Sequence, residues 1–524
     1  MVFTVAQLKH LGSRVLRPKK WFLVTFYISL GGFLNGFDTG SIGSITLMPA
    51  FQRSIAVLSP LERGLTVSLL LLAGTIPSLF AGVLADRFGH LRIVLAGAIL
   101  FTIGAIVEAS AFSLAALLVG RVFVGAGEGL YLGNLNVYIC EIAPRERRGM
   151  LVAMPQALVT LGTTAGYFSC YGTIKLAGDW QWRVPFVIQA IIGAGFALAC
   201  CLLPMSPRWL IARNRREAAQ ANMKRLDFDF EEIQHDLTTV DQEAEPSIPI
   251  WRGVFELFSK KYRYRTTLGL FILGMVQLCG IDGILYYAPT LFAQAGLPAD
   301  TASFVASGLS GILMFAISVP AFLLADYWSR RTIVSFGGTV LAASMLVIGG
   351  LYASQHVETG TAGEWLTIVF IFIFALTYVS TWGIIGKIYA TEIQPAHSRA
   401  TANALAQALN FLTNFLTAFI TPIFLAYSAS GPYFLFAGFT LFTLVVLLLY
   451  MPETRGRSLE AIQESFHPPI NDLLRSLRAR VSAGRHGGRV EKEKEKQDGS
   501  GRRRAAGGGG GQQAEGVVVS SKMA

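Results

Sequence analysis

The chain has 524 residues, 52% hydrophobic and only 15% charged, against about a quarter charged in ordinary soluble domains. Its net charge of +11 resides in short loops, a central linker and the carboxyl end, which argues against a folded nucleic-acid-binding domain. The five cysteines (Cys140, Cys170, Cys200, Cys201, Cys279) lie in or beside apolar runs without metal-ligand spacing, so they read as packing residues, with no metal or cofactor expected.

Residues 1–20 form a short basic leader with no cleavable signal pattern. Twelve apolar runs of roughly 20 residues follow, each long enough to cross a bilayer as a helix. Six centre near residues 33, 75, 103, 127, 161 and 194, within 21–203. Residues 204–265 read as a polar linker with helical pieces at 208–226 and 229–244. Six more spans centre near 277, 314, 343, 377, 413 and 441, within 266–451. Residues 452–524 form a tail that, beyond about residue 468, is too rich in Arg, Lys, Glu and Gly to fold. The expected fold class is an all-α integral membrane protein with twelve transmembrane helices. Loops on one side carry Arg87, Arg92, Arg145, Arg147, Arg148, Arg330, Arg331 and Arg399, so both termini and the linker are expected in the cytoplasm. In span four Gly125, Gly129 and Gly133 sit four apart, a spacing for close helix packing. A dinucleotide loop is excluded there, because no strand precedes it.

The chain states one pattern twice. Ala85-Asp86-Arg87 returns as Ala325-Asp326-Tyr327, and Glu141-Ile142-Ala143-Pro144 as Glu392-Ile393-Gln394-Pro395. Pro204-Met205-Ser206-Pro207-Arg208 returns as Pro452-Glu453-Thr454-Arg455. Three matched pairs in one order mean two homologous six-helix halves, an arrangement in which a substrate is held between halves at mid-depth.

Charges inside the spans single out functional candidates. Asp38 lies in span one and Arg121 in span four, where a lone charge costs roughly 3 to more than 10 kcal/mol. Paired, they make the proton affinity of Asp38 depend on conformation, which couples proton movement to substrate movement. At the cytoplasmic ends, Asp86, Arg87, Arg92, Asp326, Arg330 and Arg331 are placed to bridge to Glu141, Arg148, Glu392 and Arg399. Exposed ion pairs are individually weak, so such a network sets the balance between states.

Gly36-Phe37-Asp38-Thr39-Gly40, Gly120-Arg121-Val122, Pro204 to Trp209, Tyr286-Tyr287-Ala288-Pro289 and Pro452-Glu453-Thr454-Arg455-Gly456 resemble, in order over residues 20–467, the sugar porter family of the major facilitator superfamily. That resemblance implies two six-helix bundles moving a monosaccharide by alternating access, with Asp38 and Arg121 as the proton-coupling pair. It also implies sugar contacts from Gln156, Gln277, Asn410 and Asn414, with Tyr286 and Tyr287 as aromatic wall. Arg208, Glu453 and Arg455 join the gating set through the same motifs.

Departures from the family pattern bear on the substrate. Val276 and Asp282 replace a glutamine and an asparagine in span seven, and Gly383-Ile384-Ile385-Gly386-Lys387 lacks both hinge prolines and the tryptophan of span ten. His90 stands where the family favours arginine. Asp282 occupies the duplicate position of Asp38, and Lys387 is the intramembrane cation available to pair with it in the cavity. The expected partners are a monosaccharide, the proton and the lipid bilayer, with no nucleic acid. The expected function is proton-coupled uptake across the plasma membrane. An uncoupled uniporter, a sugar-acid carrier using Lys387 and a non-transporting sensor are the rivals; nothing in the chain reads as an enzyme.

Overall fold

The computed structural model describes residues 19–144, 148–228, 255, 257–260, 262–297, 302–324, 329–357, 362–393 and 399–453. These lie within one compact unit, Met1–Phe466. Leader residues 1–18, the expected 229–244 helix and the tail from residue 454 fall outside the described residues.

The first half comprises α1 (Lys20–Ile45), the short α2 (Pro49–Ser54), α3 (Pro60–Phe88), α4 (His90–Ala109), α5 (Leu114–Ile142), α6 (Arg148–Thr173) and α7 (Trp180–Leu202). Two linker helices follow, α8 (Pro207–Ala212) and α9 (Arg216–Arg225). The second half comprises α10 (Arg263–Leu278), α11 (Ile281–Tyr286), α12 (Ala288–Gln294), α13 (Ala302–Leu324), α14 (Arg330–Ala353), α15 (Ala362–Ser380), α16 (Trp382–Glu392), α17 (Arg399–Tyr427) and α18 (Gly431–Tyr450). Every predicted span centre falls on a helix. By length and apolarity alone, 10 segments among the described residues can cross a membrane. The remaining two, α1 and α6, are 26 residues each, and their polar and small residues dilute an otherwise apolar pattern. The chain is thus an all-helical membrane protein of two six-helix bundles.

Local chemistry sets the helix ends. Ser59 and Glu62 form a reciprocal capping box at the start of α3, with Pro60 at the first turn. Gly89, at φ +98°, turns α3 directly into α4. A Cβ there would meet the Met205 methyl at 2.6 Å, so the turn also seats the linker. Span seven is broken: α10 stops at Leu278, Gly280 takes φ +97°, and α11 restarts at Ile281. Span ten breaks too, at Thr381, although both family prolines are absent.

The linker helices mark one face of the molecule, here the linker face; the opposite one is the far face. At the linker face, Lys20 donates to the Asp227 carboxylate through its backbone N–H at 3.2 Å and its ammonium at 3.0 Å. Hydrogen bonding by the Lys20 side chain, followed by its backbone and charge, holds Asp227 below the usual carboxylate range. That tether stands above the ordinary carboxylate pKa and is lost as pH falls through the lowered one.

Glycines let the helices touch backbone to backbone. A Cβ on Gly36 would lie 1.9 Å from the Val159 carbonyl oxygen, and one on Gly125 would lie 2.0 Å from that of Leu70. This closeness seats α1 on α6 and α3 on α5. Between the halves, α3 packs on α17 and α6 on α13.

Candidate functional site

The first half builds a dry charge cluster from three helices. Asp38 on α1 and Arg121 on α5 are buried, and Arg121 Nη1 lies 2.6 Å from Asp38 Oδ1. Gln189 on α7 donates to the same Asp38 oxygen at 3.2 Å. The rest of the guanidinium is held by main chain: Nε donates to the Thr66 carbonyl at 3.0 Å and Nη2 to that of Val67 at 3.3 Å. Arg121 is therefore fixed by the wall of α3, while Asp38 holds it through a single oxygen.

Two further carboxyls share this core. Glu108 on α4 approaches Arg121 Nη1 at 3.6 Å, and Glu128 on α5 accepts from Asn35 Nδ2 at 2.7 Å; both side chains are fully buried. Sequence reasoning passed over Glu108, Glu128, Asn35 and Gln189. The two glutamates carried the same signal that exposed Asp38, a charge inside an apolar span.

The second half builds an amide cluster around the break in span seven. Gln277 sits in the last turn of α10, where Nε2 donates to Asn410 Oδ1 at 3.4 Å and Oε1 accepts from the Tyr378 hydroxyl at 3.1 Å. Asn410 in turn donates to the Leu273 carbonyl at 3.1 Å. Asn414 lies one turn further along α17, its buried Oδ1 without a hydrogen bond. Gln156 is half-buried on α6. Asp282 is buried in the first turn of α11. Such amides both donate and accept, which suits the hydroxyls of a sugar.

Tyr286 and Tyr287 are buried at the junction of α11 and α12. Tyr287 donates to the Ala418 carbonyl at 3.0 Å, and the Arg63 guanidinium lies over its ring at 5.5 Å. Tyr286 presses its backbone on α1: a Cβ on Gly43 would lie 1.5 Å from its carbonyl oxygen. Trp382, the first residue of α16, donates its indole N–H to the Val334 carbonyl at 2.9 Å.

At the linker face the charge network differs from the expected one. Glu141 meets His90 rather than Arg87 or Arg92, with His90 Nε2 3.5 Å from Glu141 Oε1. The other imidazole nitrogen faces Asn134 Oδ1 at 3.3 Å. Arg87 instead lies over the Phe88 ring at 5.4 Å. The Asp86 backbone carbonyl accepts from Trp209 Nε1 at 2.9 Å and from Arg213 Nη2 at 3.0 Å, tying α8 to α3. The second half uses Glu453 as a cap, accepting from the backbone N–H groups of Arg330 at 3.0 Å and Arg331 at 3.1 Å and from the Ser329 hydroxyl. Duplication shows in detail here: Tyr138 donates to the Pro204 carbonyl at 2.5 Å and Tyr389 to that of Pro452 at 3.0 Å. Asp326 and Arg455 lie outside the described residues, as do the side chains of Arg148, Lys387, Glu392 and Arg399. Arg92 and Arg208 sit in the first turns of α4 and α8.

A family model described as "Sugar (and other) transporter" matches residues 24–466. Sugar transport protein MST3 of Oryza sativa subsp. japonica is 29% identical over 475 residues, covering 84% of this chain and 90% of that one. Glucose transporter GlcP of Staphylococcus epidermidis is 29% identical over 444 residues, covering 84% of this chain and 96% of that one. Among solved structures, the inward-open conformation of the xylose transporter XylE from E. coli aligns with a TM-score of 0.71 at 21% identity, covering 85% of this chain and 100% of that one. At that identity the likeness speaks to fold.

The fold is that of a major facilitator carrier. The chain belongs to the sugar porter family of that superfamily, a family of transporters and not of enzymes.

Proposed function

We propose that the chain is a proton-coupled monosaccharide symporter of the plasma membrane, working by alternating access. Under this reading the linker face is cytoplasmic and carries both termini, as the basic loops support. Residues 21–203 and 266–451 are the rocking bundles, joined by 204–265 and flanked by the leader and tail. The observation that carries the reading is the buried Asp38–Arg121 pair, held through one carboxylate oxygen. A carboxylate so held changes its proton affinity whenever helix movement parts it from the guanidinium. The Gln277–Asn410–Tyr378 cluster of the second half, with Gln156 and Asn414, supplies the hydroxyl-binding surface. Among relatives of this fold, XylE is described as a proton:xylose symporter.

Coupling is energetically sufficient, since each charge gains about 2.3 kcal/mol per 100 mV. In vesicles carrying the full chain, labelled sugar is expected to accumulate under an inward proton gradient and to leak out when a protonophore is added. Accumulation that ignores the protonophore would make the chain an uncoupled uniporter with a structural Asp38. A competition panel of hexoses, pentoses and hexuronates at two pH values identifies the substrate class; a hexuronate winning the panel would favour the sugar-acid reading.

The repeat supports a second charged pair, Asp282 with Lys387, at the cavity wall. Removing one buried partner alone strands the other, typically at about 3–5 kcal/mol. Asp282→Asn is therefore expected to impair uptake more than the double change Asp282→Asn, Lys387→Trp. Additive losses would dissolve the pair.

A further inference from the structure

Arg121 has two carboxyl groups within reach of one nitrogen. Its Nη1 lies 2.6 Å from Asp38 Oδ1 and 3.6 Å from Glu108 Oε1. Neither oxygen of Glu108 has a hydrogen-bond partner, although its side chain is fully buried. The approach is built into the helix contact. Gly120, next to Arg121, leaves room that a Cβ would take, lying 2.5 Å from Glu108 Cγ. Glu108 is also the penultimate residue of α4, two positions before the exposed Ser110 at the far face. Asp38 lies deeper, about two turns before the end of α1 at Ile45, so Glu108 is the carboxyl nearer the far-side end of its helix.

The surroundings leave few other charges. From α1 comes Asp38, and from α5 come Arg121 and Glu128. Packed from α3 are the Thr66 and Val67 carbonyls that grip Arg121, and from α11 the Tyr286 phenol faces the same cluster. From α7, Gln189 is neutral, and Arg183 is occupied at the far end by the carbonyls of Ala109 at 2.8 Å and Ala111 at 3.0 Å. Two carboxyls thus share one guanidinium, with the Glu128 carboxyl bonded to Asn35 in the same core, and all three are buried in this state. Fully ionised, the group would hold a net charge of −2, which a dry core disfavours strongly.

We propose that Glu108 is the exchange partner of Asp38, relaying the coupling proton from the far face and taking over Arg121 when Asp38 lets go. This rests on the symport reading above. In the step, the proton leaves the Glu108 carboxyl and binds the Asp38 carboxylate. Arg121 stays protonated and passes its ion pair from Asp38 to Glu108, so the net charge of the site is unchanged. After Asp38 yields its proton to the cytoplasm, it regains Arg121, and far-side water reprotonates Glu108. Arg121 is never left without a counter-ion in the hydrocarbon layer, and one proton crosses per cycle.

The test uses proteoliposomes of the full chain and a labelled hexose or pentose chosen by the uptake panel. Two quantities are read in the same vesicles: proton-driven accumulation, and sugar exchange with equal pH on both sides. Exchange needs no net proton movement and corrects for the amount of folded protein. Glu108→Gln is expected to lower accumulation relative to exchange by about tenfold and to shift the far-side pH profile to more acid values, with Glu108→Asp restoring part of both. Two results overturn the relay while leaving symport intact: a Glu108→Gln carrier with an unchanged accumulation-to-exchange ratio and pH profile, or one losing both activities in parallel with no recovery in Glu108→Asp. Wild-type accumulation that survives a protonophore removes the symport reading itself, and the relay with it.

Discussion

A single hydroxyl organises the amide cluster. Tyr378 donates to Gln277 Oε1 at 3.1 Å while Gln277 Nε2 is directed at Asn410. The Gln277 amide is therefore oriented before any sugar arrives, which lowers the ordering cost of binding. Tyr378→Phe removes that restraint and leaves a buried acceptor unmet, a loss of about 1 kcal/mol, so the half-saturation concentration for sugar is expected to rise roughly fivefold with little change in maximal rate. A concentration curve that does not move would separate Gln277 from the sugar site. Legibility at this scale follows from cost. Asp38 and Arg121 stand out because a charge inside an apolar span demands an explanation. Glu108 and Glu128 make the same demand, yet family motifs draw attention elsewhere, and only packing brings them to Arg121. Gln189 is an ordinary amide in the sequence, and its role depends on which side of α7 meets α1. The loop charges point Glu141 at an arginine, whereas in the structure the imidazole of His90, at a position where the family favours arginine, takes the contact.

Breaks and caps explain the elements better than apolar runs do. Gly280 adopts φ +97°, and a Cβ there would lie 2.5 Å from the Phe436 ring. Gly280→Ala is strained on both counts, at about 1–3 kcal/mol, and is expected to lower the thermal stability of the purified carrier along with its uptake. Span ten reads from sequence as having lost its hinge, because both prolines are missing. The break falls at Thr381, which takes φ −123° and ψ −81° off the helical path while its own N–H still reaches the Thr377 carbonyl at 3.0 Å. Glu453 offers a second test. Its carboxylate satisfies two backbone N–H groups at the start of α14, so Glu453→Ala is expected to destabilise the second half by about 1–3 kcal/mol. Thermal unfolding in detergent measures this, and an unchanged midpoint would deny the cap. The twelve spans and their order were legible throughout, since bilayer thickness fixes helix length. Helix pairing was not, because it depends on which glycines face a neighbour. Gly125 and Gly129 do so, whereas the nearest atom to a Cβ on Gly133 is 4.0 Å away.

The halves close on each other at the far face and part toward the linker face. Along the α3–α17 seam, a Cβ on Gly64 would meet Phe419 at 2.6 Å, one on Gly74 would meet the Phe411 ring at 3.1 Å, and one on Gly82 would find Ala404 only at 4.0 Å. Far-face closure is completed by span seven. The Tyr167 hydroxyl donates to the Leu285 carbonyl at 2.5 Å, and Arg63 Nη2 donates to the Thr290 hydroxyl at 2.8 Å. Gly43 is the tightest point, with the Tyr286 carbonyl where its side chain would be. Because α11 belongs to one half and α1 to the other, any bulk at residue 43 penalises this state and spares one in which the far face opens. A ligand-free equilibrium moves by the full energy difference imposed on one of its two states, and about 1.4 kcal/mol changes the ratio tenfold. Gly43→Val is therefore expected to hold the carrier open to the far side. A cysteine introduced at Thr290 should then react faster with a membrane-impermeant thiol reagent added at that side, while uptake falls by at least about tenfold and sugar still slows the labelling. Labelling and uptake both matching the parent would show that Gly43 and Tyr286 touch without governing closure. The switch would then have to lie along the α3–α17 seam, where Gly64 is the position to enlarge next.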